Sequence, residues 1–404
     1  MTAPARAAED VLPSQTTISP WMTFMFAAAC GLVVANLYYG QPLAGPISAA
    51  LGFSPSATGL IVTLTQIGYG LGLLFIVPLG DLQENRRLVL SLIGFAAVAL
   101  LAAAFARSPV LFLLASLCIG IGSVAVQVLV PFAAHMAPDD RRGQVVGNVM
   151  SGLLCGIMLA RPVASVIAEY SSWPMVYILS AVLMIVLAVA LRLVLPTRVP
   201  QTSLGYGQLL ASMGRLAART RLLQRRAIYQ ACLFGAFSLF WTTTPLLLAS
   251  AFGLSQNGIA LFALAGAAGA VASPIAGRLA DRGFTRAATA SAMLLAIGAL
   301  LLAHVSASGS TTALAMLTLS GVLLDFGVQT NLVVGQRSIY ALNPAERGRL
   351  NGLYMATFFC GGALGSAVGG WAYATGGWSL TSWIGVAFPV VALVIFATER
   401  PAKA

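Results

Sequence analysis

At 404 residues, 59% hydrophobic and only 8% charged, with a mean hydropathy of +0.90, the chain lies far from a soluble globular protein, in which about a quarter of the residues are charged. Its length accommodates about twelve membrane helices of roughly 20 residues each with short loops between them. The net charge of +11 does not point to nucleic acid: of the 22 Lys and Arg, only Arg107 and Arg161 fall outside segments read as cytoplasmic, which is the positive-inside bias of a polytopic membrane protein.

In chain order, residues 1–19 are polar and lack a short apolar core with a cleavage site, so they read as a disordered cytoplasmic tail. The first span, about Trp21–Ala50, contains Asn36-Leu-Tyr-Tyr-Gly-Gln-Pro42. Pro42 removes a backbone hydrogen bond and predicts a kink. At helical spacing Asn36, Tyr39 and Gly40 share a face, either lining a cavity or hydrogen-bonding between helices. The second span, about Ser56–Leu79, carries Thr63, Thr65 and Gln66 and then Gly68, Gly70 and Gly72, which allow close packing. The third, about Leu88–Ala106, is featureless and reads as lipid-facing.

In the fourth span, about Val110–Met136, Ser123, Gln127, Pro131 and His135 follow at steps of four and form one polar stripe. Such a stripe is costly in hydrocarbon unless it faces a wet cavity or a partner helix. His135, near the cytoplasmic end, reads as an interfacial histidine first and a proton carrier second. The fifth span, about Val145–Ala168, has packing glycines at Gly147, Gly152 and Gly156 and an arginine, Arg161, inside the apolar run. An arginine at membrane depth costs at least about 2.5–3.5 kcal/mol and calls for an internal partner or water, unless it snorkels to the surface near Glu169. After the sixth span, about Trp173–Leu195, residues 196–226 hold six arginines and an amphipathic pattern of Leu209, Met213, Leu216 and Leu223, expected to lie on the inner membrane surface.

The second half repeats the first at an offset of roughly 200 residues. Leu51-Gly-Phe-Ser matches Phe252-Gly-Leu-Ser, Pro42 matches Pro245, and Arg142-Gly143 matches Arg347-Gly348. Each half also carries a charge knot between apolar runs. Asp81, Arg86 and Arg87 form the first, and Asp281, Arg282 and Arg286 the second. Two parallel six-helix halves follow, 20–195 and 227–404, joined by the basic linker 196–226. The differences between the halves are informative. Ser123 falls opposite Asp325, Gln127 opposite Gln329, and Arg161 opposite Ser366. Asp325 is the only acid near the middle of a span, the tenth, about Thr311–Arg337. Desolvation disfavours its charged form, so it can carry a proton, stay neutral, or be locked to Arg161.

The charge knots resemble the loop motif of the major facilitator superfamily. ANLYYGQPL, PLGDLQENRRL and GIMLARPVAS look like its bacterial drug-or-sugar branch, the arabinose-efflux-permease-like proton antiporters. The resemblance implies an all-α fold of twelve transmembrane helices in two pseudo-symmetric bundles. It also implies a latching role for Asp81, Arg86 and Arg87, with Asp281, Arg282 and Arg286 as their echo. Departures stand beside it: Val77 replaces the usual glycine before Asp81, and helix 1 lacks the buried acid of many multidrug members.

The expected function is export of a small organic molecule by proton antiport through alternating access, with an uptake symporter as the alternative and a non-transporting sensor behind it. Asp325 and His135 are the candidates for proton coupling. Asn36, Tyr39, Gln127, Arg161, Trp241, Asp325 and Gln329 are the candidates for the substrate cavity. The protein is expected to be a monomer of the bacterial inner membrane with both termini cytoplasmic. Its partners are a small-molecule substrate, protons and the bilayer. No nucleophile–base spacing, metal cluster or phosphate loop points to an enzyme, a metal or a cofactor, and the five cysteines all lie in apolar spans.

Overall fold

The computed structural model describes residues 18–138, 141–200, 205–305, 309–343 and 346–399, and these are helical, with no strand among them. The expected tail falls mostly on residues 1–17 and part of the linker on 201–204, both outside the described residues. The first span is two helices, α1 (Pro20–Ala35) and α2 (Gly40–Leu51). Pro20 occupies the first turn of α1, where no backbone N–H is needed, and Ser19 Oγ accepts from Met22 N at 3.1 Å. The break falls at Asn36–Tyr39, before Pro42. Pro42 cannot donate to the carbonyl four residues back, so the turn N-terminal to it unwinds rather than bending at Pro42 itself.

Next come α3 (Leu60–Phe75), a 3₁₀ turn (Val77–Asp81), α4 (Asn85–Ala104), α5 (Pro109–Ser123), α6 (Ala125–Met136), α7 (Arg142–Tyr170) and α8 (Trp173–Val194). The amphipathic α9 (Tyr206–Arg219) precedes α10 (Arg221–Ser250), which begins inside the segment read as linker. The remaining elements are α11 (Gln256–Gly266), a 3₁₀ turn (Ala267–Val271), α12 (Ala272–Asp281), α13 (Thr285–Val305), α14 (Thr311–Tyr340) and α15 (Arg347–Ala397).

Ten stretches among the described residues are long and apolar enough to cross a membrane. The last of them, α15, holds two spans, because Gly376 and Gly377 leave helical geometry; Gly377 has φ +60, a conformation that only glycine adopts easily. The interrupted segment α11–α12 supplies one more, so the order of elements matches the twelve expected spans.

Within the first half, α1 packs on α7, α3 on α5, and α4 on α5 and α8; within the second, α15 packs on α10 and α13, and α13 on α14. Lipid gives helices no hydrophobic reason to associate, so close backbone approach at small residues does the work. A Cβ on Gly31 of α1 would lie 2.6 Å from the Gly152 carbonyl oxygen of α7. A Cβ on Gly235 of α10 would lie 3.0 Å from that of Gly361 in α15, between the matching pair of helices in the second half. Between the halves, α3 meets α15, α7 meets α11, and α2 meets α10. Thr63 Oγ1 lies 2.8 Å from Ser366 Oγ across this seam, and Gln66 Nε2 donates to Ser238 Oγ at 2.8 Å.

Two expectations are corrected. The third span is not simply lipid-facing: Val89, Ile93, Ala96, Leu100 and Ala103 of α4 are fully buried at helical spacing, while Val98 is 68% exposed. Both faces are apolar, so composition alone could not separate them. The apolar face of α9 does not rest on the membrane alone, since Leu209 and Met213 are buried against the protein.

Candidate functional site

The two halves enclose a cavity of about 670 Å³ running from the middle of the bundle to the end where α9 lies. We call that the linker end. Asp81, Arg198 and Arg349 stand near its mouth, and Arg161 and Asp325 in its depth. The opposite end is closed. There the start of α3 presses on the second half, and a Cβ on Gly59 would lie 3.2 Å from Gly370 Cα.

Asp325, on α14, is 9% exposed, and the Trp241 indole N–H donates to its Oδ1 at 2.8 Å. The 3₁₀ turn after α11 passes close behind it: a Cβ on Gly269 would lie 3.0 Å from Phe326 N. Arg161, on α7, is 4% exposed, and its Nε donates to Gln41 Oε1 at 2.6 Å. The guanidinium carbon sits 4.4 Å from the centroid of a Trp241 ring, 5.1 Å from Phe237 and 5.2 Å from Tyr38. Each such contact contributes about 0.5–2 kcal/mol, more when desolvated, and this explains how an arginine is held at membrane depth. Arg161 Nη2 is buried without a hydrogen-bond partner. No direct ion pair joins Arg161 to Asp325 among the described residues. Trp241 links them instead, giving its N–H to the carboxylate and its face to the guanidinium.

The family profile of the Major Facilitator Superfamily matches residues 22–321 and 226–404. The chain belongs to the major facilitator superfamily. It is 40% identical over 380 residues to the uncharacterized transporter YgaY of Escherichia coli O157:H7, covering 94% of this chain and 95% of that one. It is 32% identical over 381 residues to a Streptomyces coelicolor protein named "Probable transporter SCO4007", covering 94% and 87%. Among solved structures, a bacterial homolog of the human lysosomal transporter Spinster, in an inward-facing and occupied conformation, superposes with TM-score 0.74 at 15% identity, over 95% of this chain and 98% of that one. A single-substitution mutant of the nucleoside transporter NupG superposes with TM-score 0.72 at 14% identity, over 93% and 98%. The chain is thus a multi-pass membrane transporter of this superfamily.

On this major facilitator framework the expected site residues separate into groups. Gln127 lines the cavity and donates to Tyr69 Oη at 3.0 Å; Gln329 lines it too, and Trp241 reaches it through its two partners. Asn36 and Tyr39 do not line it. Asn36 Oδ1 accepts from Ser180 Oγ of α8 at 2.6 Å, and Tyr38 takes the cavity-facing place. Tyr39 reaches the same Ser180, and a Cβ on Gly40 would lie 3.9 Å from Tyr177 Oη, so the three keep a shared face but turn it to α8, the alternative of hydrogen bonding between helices. His135 lies exposed at the end of α6, outside the cavity wall, so nothing in the geometry connects it to Asp325.

Of the charge knots, the first contributes Asp81 alone to the cavity mouth; Arg86 is half-buried, Arg87 is exposed, and neither lines it. Asp81 stands in the field of Arg198 and Arg349. Partial burial pulls the Arg198 guanidinium below its ordinary value, and the Asp81 carboxylate opposes that pull. In the second knot Asp281 forms an ion pair with Arg337 of its own half, Arg282 is exposed, and Arg286 Nη1 donates to the Glu399 carbonyl at 3.1 Å. Sequence reasoning missed Gln41, Tyr38, Phe237, Arg198 and Arg349. Arg349 carried a signal: in the repeat, Arg142-Gly143-Gln144 faces Arg347-Gly348-Arg349, one charge gained.

Proposed function

We propose that the protein moves a small organic molecule by alternating access and couples it to protons through Asp325. The observation that carries this reading is a carboxylate buried in the depth of a membrane cavity, held by one indole N–H and, among the described residues, by no direct cation. Burial disfavours its charge, and opening the cavity to one end and then the other exposes it to two proton reservoirs in turn. The abundance of arginine at the linker end supports placing that end, and both termini, in the cytoplasm of a bacterial inner membrane, which makes the described state inward-open. Asp81 serves as half of a latch that closes when the linker ends of the two halves meet.

Export by antiport is what the likeness to drug-or-sugar exporters implies. The charge of the cavity favours the second reading, co-transport. Arg161, Arg198, Arg347 and Arg349 line it against Asp81 and Asp325, so a positively charged substrate that would compete with the proton meets an unfavourable field.

The test is an Asp325→Asn protein in proteoliposomes, with a substrate found by screening for thermal stabilisation. The variant mimics the protonated carboxyl. It should lose accumulation driven by a pH gradient and keep exchange of substrate down its own gradient. Accumulation against a gradient at the wild-type level would refute the role of Asp325.

A further inference from the structure

We propose that the cavity takes an organic anion, a carboxylate on an aromatic or apolar body, with the carboxylate seated on the free Nη2 edge of Arg161, and that this anion binds together with a proton on Asp325. The second half rests on the proton role proposed above. Arg161 is fixed on one side by Gln41 and flanked by aromatic rings, yet among the described residues Nη2 has no partner and no carboxylate lies within ion-pair distance. A buried guanidinium in that condition is an incomplete site, and a carboxylate completes it in the geometry that arginine favours. The cavity lining is also net positive, which concentrates anions and repels cations. Around this charge the walls are apolar and aromatic. Phe234 stacks on Phe358 with centroids 3.7 Å apart, and Phe237, Phe359 and Tyr38 continue the surface. About 670 Å³ is room for a drug-sized organic acid.

The coupling follows from charge. Arg161 and Tyr38 are the other titratable groups whose fields reach Asp325. With Asp325 ionised, an incoming carboxylate shares one guanidinium with a second negative group. With Asp325 protonated, the anion has Arg161 to itself. Anion and proton therefore favour each other's binding, and the pair crosses as a neutral unit in the direction set by their combined gradients. Gln41, which accepts from Arg161 Nε and does not itself line the cavity, is a positioning residue for this site.

The test uses the full-length protein in detergent and three matched probes: 2-naphthoate, 2-naphthamide and 2-naphthylmethylammonium. Binding is read as the concentration-dependent rise in unfolding temperature. The expected result is stabilisation by the carboxylate at least tenfold more potent than by the amide or the ammonium. Its affinity should strengthen as pH falls, approaching tenfold per unit where one proton accompanies each anion. Arg161→Gln should abolish the preference for the carboxylate. Should that variant not fold, Asp325→Asn still decides, because it should bind 2-naphthoate at least as tightly as wild type with no pH dependence. Equal potency of the three probes, preference for the ammonium, or no response to any would overturn the anion site. None of these would touch the proton role of Asp325, which is read separately as pH-driven accumulation. Carboxylate binding that ignores pH in the wild type would overturn the joint binding of anion and proton.

Discussion

The two ends of the bundle are held by different physics. At the sealed end the halves meet backbone against backbone, with Gly59 against Ser366 and Gly370. Two polar contacts lie alongside, Gln256 N to Glu169 Oε2 at 2.8 Å and Asn257 Nδ2 to Tyr170 Oη at 3.3 Å. At the open end the cavity mouth carries Asp81, Arg198, Arg347 and Arg349, and there Asp81 of one half faces Arg349 of the other through its field. A seal built on fit depends steeply on the size of one residue, whereas a latch built on charge depends on ionisation and salt. Alternating access needs each end to form and break with similar ease, so substitutions at the two ends should shift the same equilibrium in opposite directions and by different amounts.

The largest effect is expected from Gly59→Leu. A Cβ there already collides with the Ser366 carbonyl oxygen and would stand 3.1 Å from its carbon, so the sealed end could not close as described. Overpacking of this kind costs about 1–3 kcal/mol, roughly a five- to 150-fold shift away from the sealed state. Spin labels on Ser171 and Ser255, in a chain freed of its five native cysteines, should move apart, and transport should fall at least tenfold. A label distance unchanged from wild type would mean that the glycine contact is incidental to closure.

Asp81→Asn should have a smaller effect of the opposite sign. With the charge gone, the linker end loses its attraction to Arg349 across the closing gap, Arg198 being tied to Asn85 of the same half as Asp81, so the open state described here gains population. Transport should slow several-fold while equilibrium affinity stays within a few-fold. Asp281→Asn is the matched control: its partner Arg337 lies in the same half, so this change should leave the balance between states where it is. Equal effects of the two substitutions would show that Asp81 acts locally and not across the halves.

Much of this arrangement was legible in the sequence, for definable reasons. Charges in hydrocarbon are rare enough to stand out, so Arg161 and Asp325 were visible without coordinates, and the fold brings both to Trp241. The internal repeat gave the order of spans, because turn glycines and prolines recur at matching positions. The surroundings of Asn36 and Tyr39 were not legible, since helical spacing groups residues on one face without saying whether a cavity or a neighbouring helix lies opposite it. Nor was the buried face of α4, because a lipid-facing and a protein-facing surface are equally apolar. Gln41 was hidden for another reason. Its importance lies in what it accepts from Arg161, more than a hundred residues away, and no spacing along the chain encodes that contact.

The smallest effect is expected at Glu169. Its Oε2 accepts from the backbone N–H of Gln256, the first residue of α11, across the seam between the halves. The contact has two parts: a hydrogen bond, and a negative charge set at the positive end of a helix. Such a charge contributes about 0.3–1 kcal/mol at an exposed site, and salt screens it. Glu169→Gln keeps an acceptor and removes the charge, so the sealed state should lose roughly two- to fivefold in population at low salt and almost nothing at high salt. Glu169→Ala removes both parts and should lose more, with a remainder that salt does not erase. The Ser171–Ser255 label distance measured at two salt concentrations separates these parts. If Glu169→Gln opened this end as far as Gly59→Leu does, the seal would be electrostatic after all, and the contrast between the two ends would fail.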